Sequence, residues 1–164
     1  NTCVGRYSLY SNTSGQSNTA NGYYSLYTCS TGSNNTAIGH SSLRNNTTGG
    51  YNAAGGNGAL YNNSTGSYNT AFGASSLGGS SVGINNTAVG YRAIYQNGSG
   101  NNNTAIGYYA LNNNQGGYSN VAIGSYSLAQ CYSQDNLVAI GDSALLNNGT
   151  GATGSQGTGN TAVG

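Results

Sequence analysis

Glycine stands at Gly5, Gly22, Gly39, Gly56, Gly73, Gly90, Gly107, Gly124 and Gly141, so the same residue returns every seventeen positions without slippage. Self-similarity at a fixed short period marks a chain whose units stack on one another. Aligned on that register, the units begin at Asn1, Asn18, Asn35, Asn52, Asn69, Asn86, Asn103, Asn120 and Leu137. They read N-T-A-I-G-Y-x-S/A-L-Y-N-N-T-T-G-x-N. Position 3 is alanine except at Cys3, position 9 is leucine except at Ile94, and position 15 is glycine except at Gln134.

Seventeen residues are too few for a helix-pair repeat of about 33 residues or for a leucine-rich repeat of about 20–29. The apolar positions miss the i, i+3, i+4 spacing of a helix, and glycine is too frequent for one. The unit suits one coil of an all-β, parallel β-solenoid (β-roll) with two short strands and two turns. T-A-I-G predicts the first strand, because threonine and the branched aliphatics fit a pleated surface. Y-x-S/A-L-Y predicts the second. The invariant glycine between them permits a sharp corner, and N-N-T-T-G supplies the other turn. About nine coils over residues 1–153 make a rod of roughly 40 Å at ~4.8 Å per coil. The register breaks after Gly151, which predicts an inserted loop at 154–159 and the start of a further coil at 160–164. Leucine at position 9 and alanine at position 3 are the expected interior. A single coil buries too little to stand alone, so the stack is the stable unit.

Along the first strand, position 3 and position 4 point to opposite faces, yet both columns are mostly apolar. Either position 4 faces outward and is buried by a second chain, giving a lateral bundle of three copies, or a kink turns both residues inward in a wide, flat coil. Asn21 and Gly55 at position 4 favour the second arrangement locally. The open ends of such a stack are strand edges that invite end-to-end pairing.

Composition narrows the partners. Three arginines and two aspartates are the only charged side chains, and the net charge is +1. No basic stripe exists for nucleic-acid phosphates, and no apolar run is long enough to span a membrane. Leu, Ile, Val and Phe make up about 14% of the chain, below the ~20% under which disorder is expected. The strict register argues against disorder. The chain opens at Asn1 without a methionine or signal-like segment and ends in mid-unit, which reads as a fragment or processed product.

The motif carried by Asn86-Thr87-Ala88-Val89-Gly90-Tyr91-Arg92-Ala93-Ile94-Tyr95 and by Asn103-Thr104-Ala105-Ile106-Gly107-Tyr108-Tyr109-Ala110-Leu111 resembles the head repeats of YadA-like trimeric adhesins. It is closer still to the 17-residue NTAIGYxALYxNTTG repeats of phage tail-fibre-like proteins. The resemblance covers almost the whole chain. It implies a left-handed parallel β-roll, commonly trimeric, in a surface-exposed fibre or adhesin. No chaperone, stalk or anchor accompanies it here, and three cysteines are unusual for such a shaft.

Few residues are equipped for catalysis. His40, the only histidine, shares position 6 with Asp142 but stands six coils away, roughly 29 Å at ~4.8 Å per coil. No carboxylate or histidine cluster is spaced to hold a metal, so neither an enzyme nor a cofactor is expected. Cys29 and Cys131 share position 12, also six coils apart, too far for an intrachain disulfide. They read as inert thiols or as an interchain disulfide between neighbouring subunits. Asn-x-Ser/Thr occurs at Asn12, Asn34, Asn45, Asn46, Asn62, Asn63, Asn85, Asn97, Asn102 and Asn148. Each is an N-glycan acceptor pattern in a secreted protein, and each is also ordinary turn chemistry. Tyrosines crowd positions 6, 7 and 10. Tyr23, Tyr24, Tyr91, Tyr108 and Tyr109 are candidates for stacking on sugar rings, set against simple packing between coils. The threonine column at position 2 is interrupted by Ala53, Val121 and Val138, too irregular for an ice-matching lattice.

The sequence therefore points to a structural, non-enzymatic segment of an extracellular or virion fibre that associates with copies of itself. The alternative is a carbohydrate-binding adhesin module using the tyrosine-rich face.

Overall fold

A computed structural model describes residues 1–148 and 157–164. Among them run ten three-residue strands: β1 (Thr2–Val4), β2 (Thr19–Asn21), β3 (Thr36–Ile38), β4 (Ala53–Gly55), β5 (Thr70–Phe72), β6 (Thr87–Val89), β7 (Thr104–Ile106), β8 (Val121–Ile123), β9 (Val138–Ile140) and β10 (Thr161–Val163). They form one parallel sheet in chain order. Thr2 pairs with Thr19, Thr87 with Thr104, and so on at the seventeen-residue interval. The fold is a parallel β-solenoid with one coil per repeat. No helix among the described residues is long and apolar enough to cross a membrane.

The corner after each strand explains the glycine register. Gly5 through Gly141 hold φ between +121° and +147°, a region that only glycine occupies without strain. Space forbids a side chain as well. A Cβ on Gly90 would sit 2.8 Å from the carbonyl carbon of Gly107 in the next coil. Successive corners touch backbone to backbone, so every coil needs its glycine at the same place.

The second strand expected at Y-x-S/A-L-Y does not form. Position 7 takes φ of 52–64° and position 9 takes φ of 48–51° in all nine coils. Left-handed residues alternate with ordinary ones, and the backbone turns where the sequence predicts extension. The coil-to-coil ladder survives this geometry: the Leu9 N–H donates to Ser25 O at 3.0 Å and the Leu26 N–H to Ser42 O at 3.0 Å. A left-handed leucine costs roughly 1–2 kcal/mol, but burying its side chain contributes roughly 1.5–3 kcal/mol. Leu26, Leu43, Leu60, Leu77, Leu111 and Leu128 are completely buried, so burial outweighs the strain.

The interior has an aliphatic half and an amide half. Leucine at position 9 and alanine at position 3 form the first, as expected. The second is made of asparagines. At position 1, Asn18 Nδ2 donates to Gly32 O at 2.8 Å in its own coil, and its Oδ1 accepts the Asn35 N–H at 2.9 Å in the next. The same step repeats until Asn120 Oδ1 accepts the N–H of Leu137, where the ladder stops. At position 12, Asn63 Nδ2 donates to Asn46 Oδ1 at 2.9 Å, and Asn114 Nδ2 to Asn97 Oδ1 at 2.9 Å. Buried polar groups are tolerated when partnered, and these ladders fix each coil in register with the next.

The amides also explain glycine at position 15. A Cβ on Gly66 would lie 3.1 Å from Asn69 Nδ2 and closer still to Asn63 Oδ1. The exception, Gln134, stands in the coil where Cys131 replaces asparagine at position 12. Its buried side chain carries Oε1 3.6 Å from Cys131 Sγ and accepts the Ser133 N–H at 3.3 Å.

The break in register is absorbed without slipping the sheet, since Val138 pairs with Thr161. Asn148 Nδ2 donates to Gly157 O at 2.6 Å, as Asn46 does to Gly49. Gly159 N–H then donates to Asp135 O, as Asn34 does to Gln16. Gly157 to Gly159 therefore fill positions 15 to 17 of the ninth coil. Gly157 to Gly159 of the loop expected at 154–159 thus belong to the turn of that coil. Of that expected loop, residues 154–156 lie outside the described residues.

Position 4 points outward. Val4, Ile38, Phe72, Val89, Ile106, Ile123, Ile140 and Val163 are all exposed, while the alanine before each of them, where there is one, is buried or, at Ala162, partly so. The kinked, flat coil that would bury both columns is not what the chain adopts. From Phe72 to Ile140 the apolar column is unbroken over five coils. Its exposure there is 36–48%. The Phe72 ring lies over Gly55 and fills that gap.

Candidate functional site

The tyrosine face is built by positions 6, 7 and 10, which project outward on the turn after the corner glycine. Identical positions recur one coil apart, about 4.8 Å, which suits ring stacking. In the first coils Tyr7 stacks on Tyr24 at 5.1 Å and Tyr10 on Tyr27 at 5.4 Å. Tyr23 packs edge-on against Tyr24 at 4.2 Å, and His40 stacks on Tyr23 at 5.4 Å. In the later coils Tyr91 stacks on Tyr108 at 5.6 Å and Tyr109 on Tyr126 at 5.5 Å, with Tyr108 edge-on to Tyr109 at 4.6 Å.

Arginines bind these rings together. Arg44 lies 4.7 Å from the Tyr24 ring centre and 5.6 Å from that of Tyr61, and its Nη1 donates to the Tyr61 hydroxyl at 2.6 Å. Arg92 lies 4.9 Å from Tyr95, and its Nη1 donates to the Tyr109 hydroxyl at 3.2 Å. The guanidinium is drawn to the electron-rich face of each ring. The Tyr23 hydroxyl, with burial second, holds the Tyr24 phenol above its usual range. Hydrogen bonding to Tyr109, followed by that ring's charge, holds the Arg92 guanidinium above its own.

The five candidate glycan-stacking tyrosines thus fall in two separate clusters, Tyr23 and Tyr24 in one and Tyr91, Tyr108 and Tyr109 in the other. Much of their ring surface faces other rings. Between the clusters the columns are interrupted. Asn57 stands at position 6, Gly58 and Ser75 at position 7, and Gly78 at position 10. The missing rings leave an open cleft of about 260 Å³, bounded by Tyr61 and Tyr95 and edged by Asn57, Asn62 and Ser75. Nothing about Tyr61 and Tyr95 themselves sets them apart in the sequence from the other position-10 tyrosines. The available signal was the loss of side chains in coils 4 and 5.

The cysteines at position 12 face inward. Cys29 and Cys131 are completely buried, and Cys29 Sγ donates to Gly32 O at 3.4 Å in its own coil. Burial pushes both thiols up, Cys131 to about 11. Both sulfurs lie inside the coil, not at the surface of the turn. Cys3, expected in the core, is exposed on the end strand.

The acceptor asparagines divide by position. Asn46, Asn63 and Asn97 are buried with Nδ2 bonded to the carbonyls of Gly49, Gly66 and Gly100. Asn12 and Asn148 are half-buried, with Nδ2 on Gly15 O and Gly157 O. A sugar on these nitrogens has no room in the folded coil, so the turn does not present position 12 along its edge. Asn34, Asn62, Asn85 and Asn102 are exposed, and Asn45 is half-buried. His40 stays six coils from Asp142, as the register requires, and no group of three His, Cys, Asp or Glu side chains clusters among the described residues.

No family model, curated protein or solved structure matches this chain. What the geometry establishes is a parallel β-solenoid of seventeen-residue periodicity.

Proposed function

We propose that the chain is a non-catalytic structural rod of an extracellular or virion fibre, in which copies pack side by side through the outward face of the sheet. The observation that carries this is the apolar column from Phe72 to Ile140, exposed on a rigid backbone. Monomeric soluble proteins rarely leave a contiguous apolar surface open, and larger patches mark interaction sites. The column repeats at the coil spacing, so two rods in register meet along their length. Three rods around one axis is the arrangement that the motif's resemblance implies. Stiffness follows from the asparagine and backbone ladders, which tie each coil to the next.

The test is the double variant Ile106→Asp, Ile123→Asp. Both side chains project away from the core, so the coil should fold with an unchanged circular dichroism spectrum. The expected result is loss of lateral association and of fibres in electron micrographs. Fibres of unchanged width would refute the reading.

A second reading, a carbohydrate-binding surface module, draws support from the tyrosine face. The observation in its favour is the cleft between Tyr61 and Tyr95, where aromatic surface is not taken up by neighbouring tyrosines.

A further inference from the structure

We infer that the cleft between Tyr61 and Tyr95 is a binding site for one pyranose ring of a neutral glycan. The inference rests on the second reading above and is independent of lateral assembly, since a single chain supplies every residue.

Three features of the cleft point to this ligand. The first is spacing. Tyr61 and Tyr95 occupy position 10 two coils apart, and the Tyr95 ring leans over Gly78 between them, its edge 3.1 Å from where a Cβ would stand, so it faces Tyr61 across the cleft. A sugar ring presents flat C–H faces to an aromatic ring, and here one wall is aromatic at each end. The floor is open at Gly58, where an added Cβ would find only Ser75 Oγ, at 3.8 Å.

The second is preorganisation. Arg44 lies against Tyr61 and fixes its hydroxyl, and Arg92 lies against Tyr95. Rings already held in place lose less freedom on binding.

The third is chemistry. The edges are the amides of Asn57 and Asn62 and the hydroxyl of Ser75, donors and acceptors suited to sugar hydroxyls. No carboxylate lines the cleft. Sites for apolar ligands are lined mainly by hydrophobic side chains, whereas this one combines two aromatic walls with amide and hydroxyl edges. Its volume of about 260 Å³ lies just below the usual range of ~300–1,000 Å³ for small-molecule sites. That fits one ring with the rest of the glycan in solvent.

The experiment uses the whole chain and a panel of methyl hexopyranosides (gluco, galacto, manno and N-acetylglucosamine forms) at millimolar concentration, read by the ring resonances of labelled tyrosine. The key variant is Gly58→Tyr, which refills the cleft. Tyrosine already occupies this position at φ of 54–61° in Tyr7, Tyr24, Tyr109 and Tyr126, so the coil accepts it. At least one glycoside is expected to shift the Tyr61 and Tyr95 signals saturably. Gly58→Tyr and Tyr95→Ala should each weaken that binding about tenfold or more, equivalent to ~1.4 kcal/mol, and Tyr108→Ala should leave it unchanged. A glycoside that shifts Tyr23 or Tyr108 instead and still binds Gly58→Tyr would overturn the cleft while leaving the second reading intact. Binding of indole but of no glycoside would overturn the sugar assignment. Binding of neither indole nor any glycoside would overturn both the cleft and the second reading.

Discussion

Asn63 Oδ1 is buried and accepts from no described residue, because Ser80, one coil further on, is too short to reach it. Where asparagine follows asparagine at position 12, the next amide closes this step, as Asn63 does for Asn46 and Asn114 for Asn97. Ser80 Oγ is itself buried and unpartnered. The amide ladder is interrupted at Cys29, Ser80 and Cys131, and the Ser80 gap leaves two buried polar atoms, Asn63 Oδ1 and Ser80 Oγ, unmet.

Filling that gap should stabilise the rod. In Ser80→Asn, the new Nδ2 reaches Asn63 Oδ1 and Gly83 O, and the new Oδ1 faces Asn97 Nδ2. Net gains per hydrogen bond are roughly 0.5–1.5 kcal/mol, so the variant is expected to gain about 1 kcal/mol or more. Urea unfolding followed by circular dichroism measures it. A midpoint below that of the unmodified chain would contradict the ladder as described.

Ile94 should be the most strained residue of the leucine column. It holds φ of 48°, and a β-branched side chain there is a genuine outlier. Ile94→Leu conserves volume and installs the residue that the other eight coils use. A gain of about 1 kcal/mol is expected in the same unfolding assay, in line with the ~1–2 kcal/mol scale of left-handed strain. A loss of stability would show that the position is not strained by its branch.

The thiols give a third check. Under native conditions an alkylating reagent should modify Cys3 and leave Cys29 and Cys131 untouched, as intact mass will show. Modification of either buried thiol in the folded chain would contradict their placement. Burial also sets a pH dependence. Cys131 is neutral in the folded chain up to about pH 11 but ionises near ~8.5 when unfolded. Its effect on stability is nil below the unfolded value. Stability then falls as pH rises from about 8.5 to 11, because the unfolded chain releases the proton first. The unmodified chain should therefore lose more stability than Cys131→Ala over that interval. Equal losses would contradict the raised thiol.

How far the sequence reveals this fold varies from residue to residue. Gly90 and its equivalents announce both the period and the corner, since neither space nor φ admits another side chain. Ala105 and Ile106 leave two arrangements open in the sequence, since both are apolar, and only the folded coil shows alanine inside and isoleucine outside. Leu111 misleads, because leucine carries no mark of a left-handed backbone and its neighbours fit a strand. Only packing in the finished stack makes that conformation affordable. Asn46 reads as a turn residue and Asn86 only as the start of a repeat, and both prove to be core, because an amide is buried only once the coil above supplies its partner. The cleft is hardest to read, since Gly58, Ser75 and Gly78 create it by what they lack.

Lateral assembly is the central claim, and the mass of the particle in solution tests it most directly. A single chain has a mass of 16.4 kDa. Sedimentation equilibrium of the unmodified chain at micromolar concentration is expected to give an integral multiple of that mass, and the Ile106→Asp, Ile123→Asp variant the single-chain value. An unmodified chain that sediments as a monomer across the micromolar range would contradict the account.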